Sequence, residues 1–84
     1  MVILKVKNEN LYVKGIDDKT DKLVFTENPS EAEDWNDEWR ARTRIQFLKT
    51  HVSLGNINLD EEHKDYLERL FPVYFVDNSE DTPF

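Results

Sequence analysis

The first third of the chain alternates apolar and polar residues at a period of two, which is typical of β-strands. In residues 2–7, Val2, Leu4 and Val6 fall on one side of a strand. A turn at residues 8–10 and strand-favouring residues at 11–16 complete a hairpin, because asparagine tolerates positive φ. A third short strand follows at residues 23–26. The pattern therefore predicts a three-stranded antiparallel meander.

After residue 27 the spacing of apolar residues changes to that of helices. Asn28 is a good N-cap and Pro29 suits the first position of a helix, so a helix is predicted to begin here. Asp37 offers a second cap, and the helical pattern then runs to about Leu54, where Gly55 supplies a stop. One apolar stripe of this second helix is expected to pack on the meander: Ala41, Ile45, Leu48 and Val52.

A third helix is predicted to begin at a cap at Asn58 and to end at Pro72, and residues 73–76 are predicted to be a fourth strand. The fold class is α+β: a three-stranded antiparallel meander, two or three helices packed on one face, and the fourth strand. Residues 1–76 are expected to form a single domain. Residues 77–84 are expected to be an acidic, disordered tail.

Length and composition narrow the class of protein. The 84 residues fit one domain and include no cysteine, which excludes disulfides, thiolate nucleophiles and zinc sites with sulfur ligands. The apolar runs are too short for a signal peptide or a transmembrane helix. We therefore expect a cytoplasmic protein with no membrane partner.

The net charge of −7 is distributed in blocks of alternating sign. Residues 27–38 hold six acids and no base, whereas residues 39–58 hold four bases and no acid. The acids have two explanations: they stabilise helix starts through the macrodipole and keep the protein soluble, or they imitate a phosphate backbone and dock on a basic site. In the second case they form an acidic ridge, which comprises Glu31, Glu33, Asp34, Asp37 and Glu38. Direct nucleic-acid binding is disfavoured, because it requires a contiguous basic patch.

Aromatic residues lie beside this ridge. On a helical projection, Trp39 and Phe47 fall away from the stripe that faces the sheet. They either pack under Tyr66 and Leu70 of the third helix, or one of Trp35, Trp39 and Phe47 stays exposed and binds a partner, since tryptophan is over-represented at interface hot spots.

The sequence offers little that supports catalysis. His51 lies at the end of a helix, where a capping role is expected, and His63 follows acids that fit a capped first turn better than a metal site. The two glycines cannot form a phosphate-binding loop, and no serine lies in a nucleophile elbow. We expect no enzyme, no cofactor and no metal. A small metal-dependent hydrolase using His51 or His63 is the remaining catalytic alternative.

Three segments carry a resemblance to a known group of proteins: residues 12–15 (YVKG), 23–28 (LVFTEN) and 30–35 (SEAEDW). In their order and layout they resemble small proteins carried by phages and prophages of Gram-positive bacteria. The resemblance covers residues 1–52 and transfers no functional residue. It implies a protein that binds and disables a host factor, as certain acidic anti-CRISPR and anti-restriction proteins do.

The predicted function is therefore a non-enzymatic inhibitor or regulator that docks on the basic, nucleic-acid-binding site of a host protein in the bacterial cytoplasm. The protein is expected to be a monomer or a homodimer. The alternative is an accessory protein that self-associates through its aromatic helix face. The predicted contact residues are the acidic ridge together with Trp35 and Trp39.

Overall fold

The computed structural model describes residues 1–76, so the predicted tail lies outside the described residues. Four strands form one antiparallel sheet: β1 (Val2–Val6), β2 (Tyr12–Asp17), β3 (Lys22–Thr26) and β4 (Leu70–Tyr74). Two α-helices are present in residues 1–76: α1 (Glu38–Ser53) and α2 (Lys64–Glu68). This confirms the α+β class. None of the described helices has the length and apolar character needed to cross a membrane.

The order of the strands differs from that of a meander. The first three strands pair with their neighbours in the chain, but β4 returns to lie beside β1, which gives the order β3-β2-β1-β4. This position makes β1 an interior strand, and its Val2, Ile3, Leu4 and Val6 are all buried.

Pro72 was expected to end the last helix, and this prediction is wrong because Pro72 lies within β4. The N–H of Lys7 donates to the carbonyl of Arg69, and the N–H of Phe75 donates to the carbonyl of Met1. The odd-numbered residues of β4 thus direct their backbone groups toward β1, whereas Pro72 directs its backbone toward the free edge of the sheet. At that position the missing N–H of proline costs no hydrogen bond between strands.

The helix predicted to begin at Asn28 is reduced to one 3₁₀ turn, Pro29–Glu31. Asn28 does cap this turn, since its side chain accepts a hydrogen bond from the N–H of Ser30. The chain then becomes extended at Ala32. The N–H groups of Glu33 and Trp35 donate to carbonyls of β2 and β1, so hydrogen bonds to the sheet replace those of a helix.

Helix α1 matches the prediction closely. Asp37 is its N-cap, and the Asp37 Oδ1 atom accepts a hydrogen bond of 2.8 Å from the N–H of Arg40. Ala41, Ile45 and Leu48 are buried, and Val52 packs against them at the edge of the core. The apolar side of β1 faces this stripe, and the two surfaces make up the centre of the core: Val2, Leu4, Val6, Ala41, Ile45 and Leu48.

Candidate functional site

An open groove runs along the outer face of α1. We call it the aromatic groove; its volume is about 370 Å³, and it is lined by Trp35, Trp39, Arg40, Thr43, Arg44 and Phe47. All of these residues except Trp35 belong to α1, where positions three and four apart share a face. Trp35 reaches the groove from the extended segment that precedes the helix. A groove of this size accommodates a side chain or two of a partner protein.

Trp39 is the most exposed large apolar residue in the described chain, with 78% of its surface accessible to solvent. Phe47 is 41% exposed. The expectation that both pack under the third helix is therefore wrong. Tyr66 instead makes an edge-to-face contact with Phe25, at 5.3 Å between ring centroids, and stacks on His63. Because α2 contains five residues, it is too short to cover the outer face of α1.

Trp35 is half-buried and holds the start of α1 against the sheet. The backbone N–H of Trp35 donates to the carbonyl of Val2 at 2.8 Å, and the indole ring packs against the core. The helix predicted to begin at Asn28 would have included Trp35, but Asn36 adopts a φ of 70° and separates Trp35 from α1. The positive φ turns the chain so that Trp35 and Trp39 nevertheless line the same groove.

Arg44 contacts two aromatic rings in this groove. Its guanidinium carbon is 4.4 Å from the centre of the Phe47 ring and 5.0 Å from that of Trp35. Both distances are those of cation–π contacts. Within residues 1–76, no carboxylate lies within ion-pair distance of Arg44.

The first two carboxylates of the acidic ridge differ in burial. Glu31 is exposed and accepts a hydrogen bond of 2.9 Å from the hydroxyl of Thr26. Glu33 is half-buried, and its carboxylate lies next to Gly15. Burial raises the pKa of Glu33, and the positive charge of Arg44 opposes this shift. These two members of the ridge thus present different amounts of charge to solvent.

Asp34 ties the segment before α1 to the sheet. Its Oδ1 atom accepts hydrogen bonds from the N–H of Val2 at 3.1 Å and from the N–H of Asn36 at 2.9 Å. Both hydrogen bonds lower the pKa of Asp34, and the bond from Asn36 has the larger effect. Asp34 therefore has a structural role in addition to any role in binding.

This role predicts the effect of Asp34→Asn. The lowered pKa means that the ionised carboxylate stabilises the fold fully above its ordinary pKa of 3.8, and that this contribution is lost as the pH falls through the lower value. We expect Asp34→Asn to cost at most about 1 kcal/mol at pH 7, because the group is exposed, and the difference from wild type to shrink below pH 3.8. Urea unfolding at several pH values measures the loss of stability at pH 7 and its decrease at lower pH. A difference that grows on acidification would contradict the assignment.

The last two acids of the ridge are paired with arginines three and four residues further along α1. Asp37 Oδ2 lies 3.8 Å from Arg40 Nε, and Glu38 Oε2 lies 2.7 Å from Arg42 Nε. Both pairs are exposed and contribute little to stability. They do reduce the charge of the ridge at the end nearest to Trp39.

A second cluster of possible ligands lies away from the groove. Atoms of Asp60, Glu62 and His63 lie within 4.8 Å of one another. Lys22 approaches Asp60 at 3.2 Å, so a cation already neutralises part of this cluster. At the end of α1, His51 Nδ1 lies 3.1 Å from the side-chain nitrogen of Asn56. Neither histidine lines the aromatic groove.

The sequence-based prediction of the site included both tryptophans but omitted Arg40, Thr43 and Arg44. The spacing contained the signal, because Arg40 and Arg44 share a helix face, as do Trp39, Thr43 and Phe47 at successive intervals of four. In the structure Arg40 pairs with Asp37, whereas Arg44 has no ion pair within residues 1–76.

Comparison with known proteins gives no further guide to this site: no protein-family model, no curated protein and no solved structure matches the chain.

Proposed function

We propose that this chain is a non-enzymatic binding protein that docks a partner protein on the surface around Trp39. The observation that carries the proposal is the 78% exposure of Trp39 on a helix whose opposite face is firmly packed. Burying a large apolar side chain is worth about 1.5 to 3 kcal/mol, and the fold leaves this gain unused. Exposed indole rings that become buried are the most common hot spots of protein interfaces.

The partner is a protein with a basic surface. Six acids and no base occupy residues 27–38, and arginines of α1 offset two of them. Glu27, Glu31 and Asp34 are exposed and have no ion-pair partner within residues 1–76. Negative charge arranged in this way accelerates association with a basic surface and excludes partners that carry like charge.

Within this class, the best candidate is an inhibitor of a host nucleic-acid-binding protein in the bacterial cytoplasm. Its acidic ridge would occupy the site that otherwise holds phosphates, as in acidic anti-CRISPR and anti-restriction proteins. The resemblance to small phage and prophage proteins favours this candidate over other binding proteins.

The same exposed rings favour one alternative, self-association through α1. Trp39 and Phe47 of one copy would then be covered by those of another. Sedimentation at two concentrations separates the candidates. A monomer that persists at the higher concentration removes self-association, whereas a dimer that buries Trp39 removes the proposed free docking surface.

Charge reversal in the ridge tests the electrostatic part of the proposal. We expect Glu31→Lys with Glu38→Lys to weaken partner binding roughly tenfold at low salt and much less at high salt, because screening removes the lost attraction. These positions are preferable to Asp34 and Asp37, which accept backbone hydrogen bonds. Partner captured from a bacterial lysate and then purified provides the ligand for the titrations.

The matched control is Asp18→Lys with Glu62→Lys. Both positions are exposed and distant in sequence from the ridge, and the pair changes the net charge by the same amount. We expect this control to bind within about twofold of wild type. Equal losses in the two double variants would show that net charge, and not the ridge, determines binding.

A further inference from the structure

Among the arginines, Arg44 is the one that has no counterion within residues 1–76. The structure describes four arginines, and Arg40, Arg42 and Arg69 each form an ion pair with a carboxylate. Arg44 forms none within residues 1–76, and its Nε atom is buried without a hydrogen-bond partner. A buried donor that lacks an acceptor is unfavourable, so the fold does not satisfy this guanidinium.

The nearest acid does not satisfy this arginine. Glu33 is close enough to feel the charge of Arg44, but the two groups do not reach ion-pair distance. The Glu33 carboxylate lies over Gly15, and its own Oε1 atom is buried without a partner. Arg44 instead packs against the rings of Trp35 and Phe47.

An arginine that packs against two aromatic rings has the properties of a recognition residue. Its guanidinium is planar, remains charged and offers a fixed fork of donors that matches a carboxylate in a bidentate arrangement. The rings restrict its rotation, so less conformational entropy is lost when an anion binds. The groove beside it is also lined by three aromatic side chains, by Thr43 and by Arg40, which already pairs with Asp37.

We propose that Arg44 is the anion-binding residue of the aromatic groove, and that the groove takes a segment of the partner protein in which a carboxylate lies beside an apolar side chain. This inference rests on the proposed function and names the chemistry of the partner. The apolar side chain would pack on Trp39 and Phe47, while the carboxylate would pair with Arg44. The partner surface would then alternate in charge as this chain does, with basic groups opposite the acidic ridge and an acid opposite Arg44.

A nucleic acid is the competing occupant, since bases stack on exposed aromatic rings and phosphates bind arginine. The surroundings of the groove disfavour it. Glu31, Asp34, Asp37 and Glu38 lie in the segment that leads to Trp39, and their charges repel a polyanion along its length. A single carboxylate on a protein segment avoids most of this repulsion.

Two small probes that differ only in charge test the proposal. We would titrate the ¹⁵N-labelled protein with 3-phenylpropionate and with its neutral isostere, 3-phenylpropionamide, and follow the Trp39 indole N–H and the Arg44 Nε–H signals by NMR. We expect the acid to shift both signals and to bind roughly fivefold or more tightly than the amide, because only the acid pairs with the guanidinium. Equal affinities, or no binding of the acid, would overturn the proposal.

Variants assign the preference to one residue. Arg44→Met keeps apolar contact with both rings and is expected to bind the acid and the amide equally. Arg42→Met, on the same helix, is expected to retain the preference of wild type. A preference that persists in Arg44→Met would overturn the assignment. Amide spectra report whether each variant is folded, and the comparison of the two probes on the wild-type chain needs no variant.

An oligothymidylate of eight nucleotides completes the experiment. Binding of this probe in the groove more tightly than 3-phenylpropionate would overturn the proposal in favour of nucleic acid. The proposed function is tested separately, through the effect of Trp39 on partner affinity. Failure of the probe experiment would therefore contradict the role of Arg44 alone. The docking surface around Trp39 would still be tested by the effect of Trp39 variants on partner affinity.

Discussion

Trp39→Ala is expected to weaken partner binding by roughly 30-fold or more while leaving the free energy of unfolding within about 0.5 kcal/mol of wild type. The two effects separate because the indole contributes to the groove and not to the core. Isothermal titration with the purified partner and urea unfolding of the free chain measure them. A variant that binds normally would remove Trp39 from the interface.

Tyr74→Ala is the matched control for this prediction. Tyr74 is 76% exposed, almost as much as Trp39, but it lies on β4 at the edge of the sheet, away from the groove. We expect it to bind the partner within about twofold of wild type. Equal losses in the two variants would indicate that the interface depends on exposed aromatic area in general.

Leu48→Ala is expected to have the largest effect on stability. Leu48 is fully buried where α1 packs across β1 and β4, and its truncation leaves a cavity at the centre of the core. Such changes cost about 2 to 5 kcal/mol, against a total stability of about 4 to 13 kcal/mol for a chain of this length. The midpoint of urea unfolding measures the loss.

Gln46→Ala serves as the control on the same helix, because Gln46 is exposed and alanine is a good helix former. We expect its free energy of unfolding to stay within about 0.5 kcal/mol of wild type. If Leu48→Ala lowered the free energy of unfolding no more than Gln46→Ala does, the described packing of α1 against the sheet would be contradicted.

The elements that the sequence predicted well are those that local physics determines. Asp37 is followed by an apolar stripe at helical spacing, so the cap and the buried face of α1 could both be derived from the sequence. The same holds for the turn after β1, where Asn8 adopts a φ of 68°. In each case the deciding interactions lie within a few residues of one another.

The elements that the sequence mispredicted depend on partners far along the chain. The segment after Glu31 has helical signals, but its backbone is captured by β1 and β2, as the hydrogen bond from Trp35 to Val2 shows. Pro72 would end an isolated helix, yet it is accommodated because β4 lies at an edge. No local pattern reveals these pairings.

The candidate site was predictable in part for the same reason. The two tryptophans and the concentration of acids are visible in the sequence. The different roles of the acids are not, because the bonds from Val2 and Asn36 to Asp34 and the position of Glu33 over Gly15 depend on the tertiary fold. That Arg44 forms no ion pair within residues 1–76 could also be seen only once the positions of the nearby acids were known.

The most direct test of the proposed docking surface is to map it in the complex. Hydrogen exchange of the free chain and of the chain bound to its captured partner reports which amides the partner protects. We predict that protection concentrates in residues 31–47, which carry the acidic ridge and the aromatic groove, and that β3 and the free edge of β4 are unchanged. Protection centred on Tyr74 and β4, with residues 31–47 unaffected, would contradict the account.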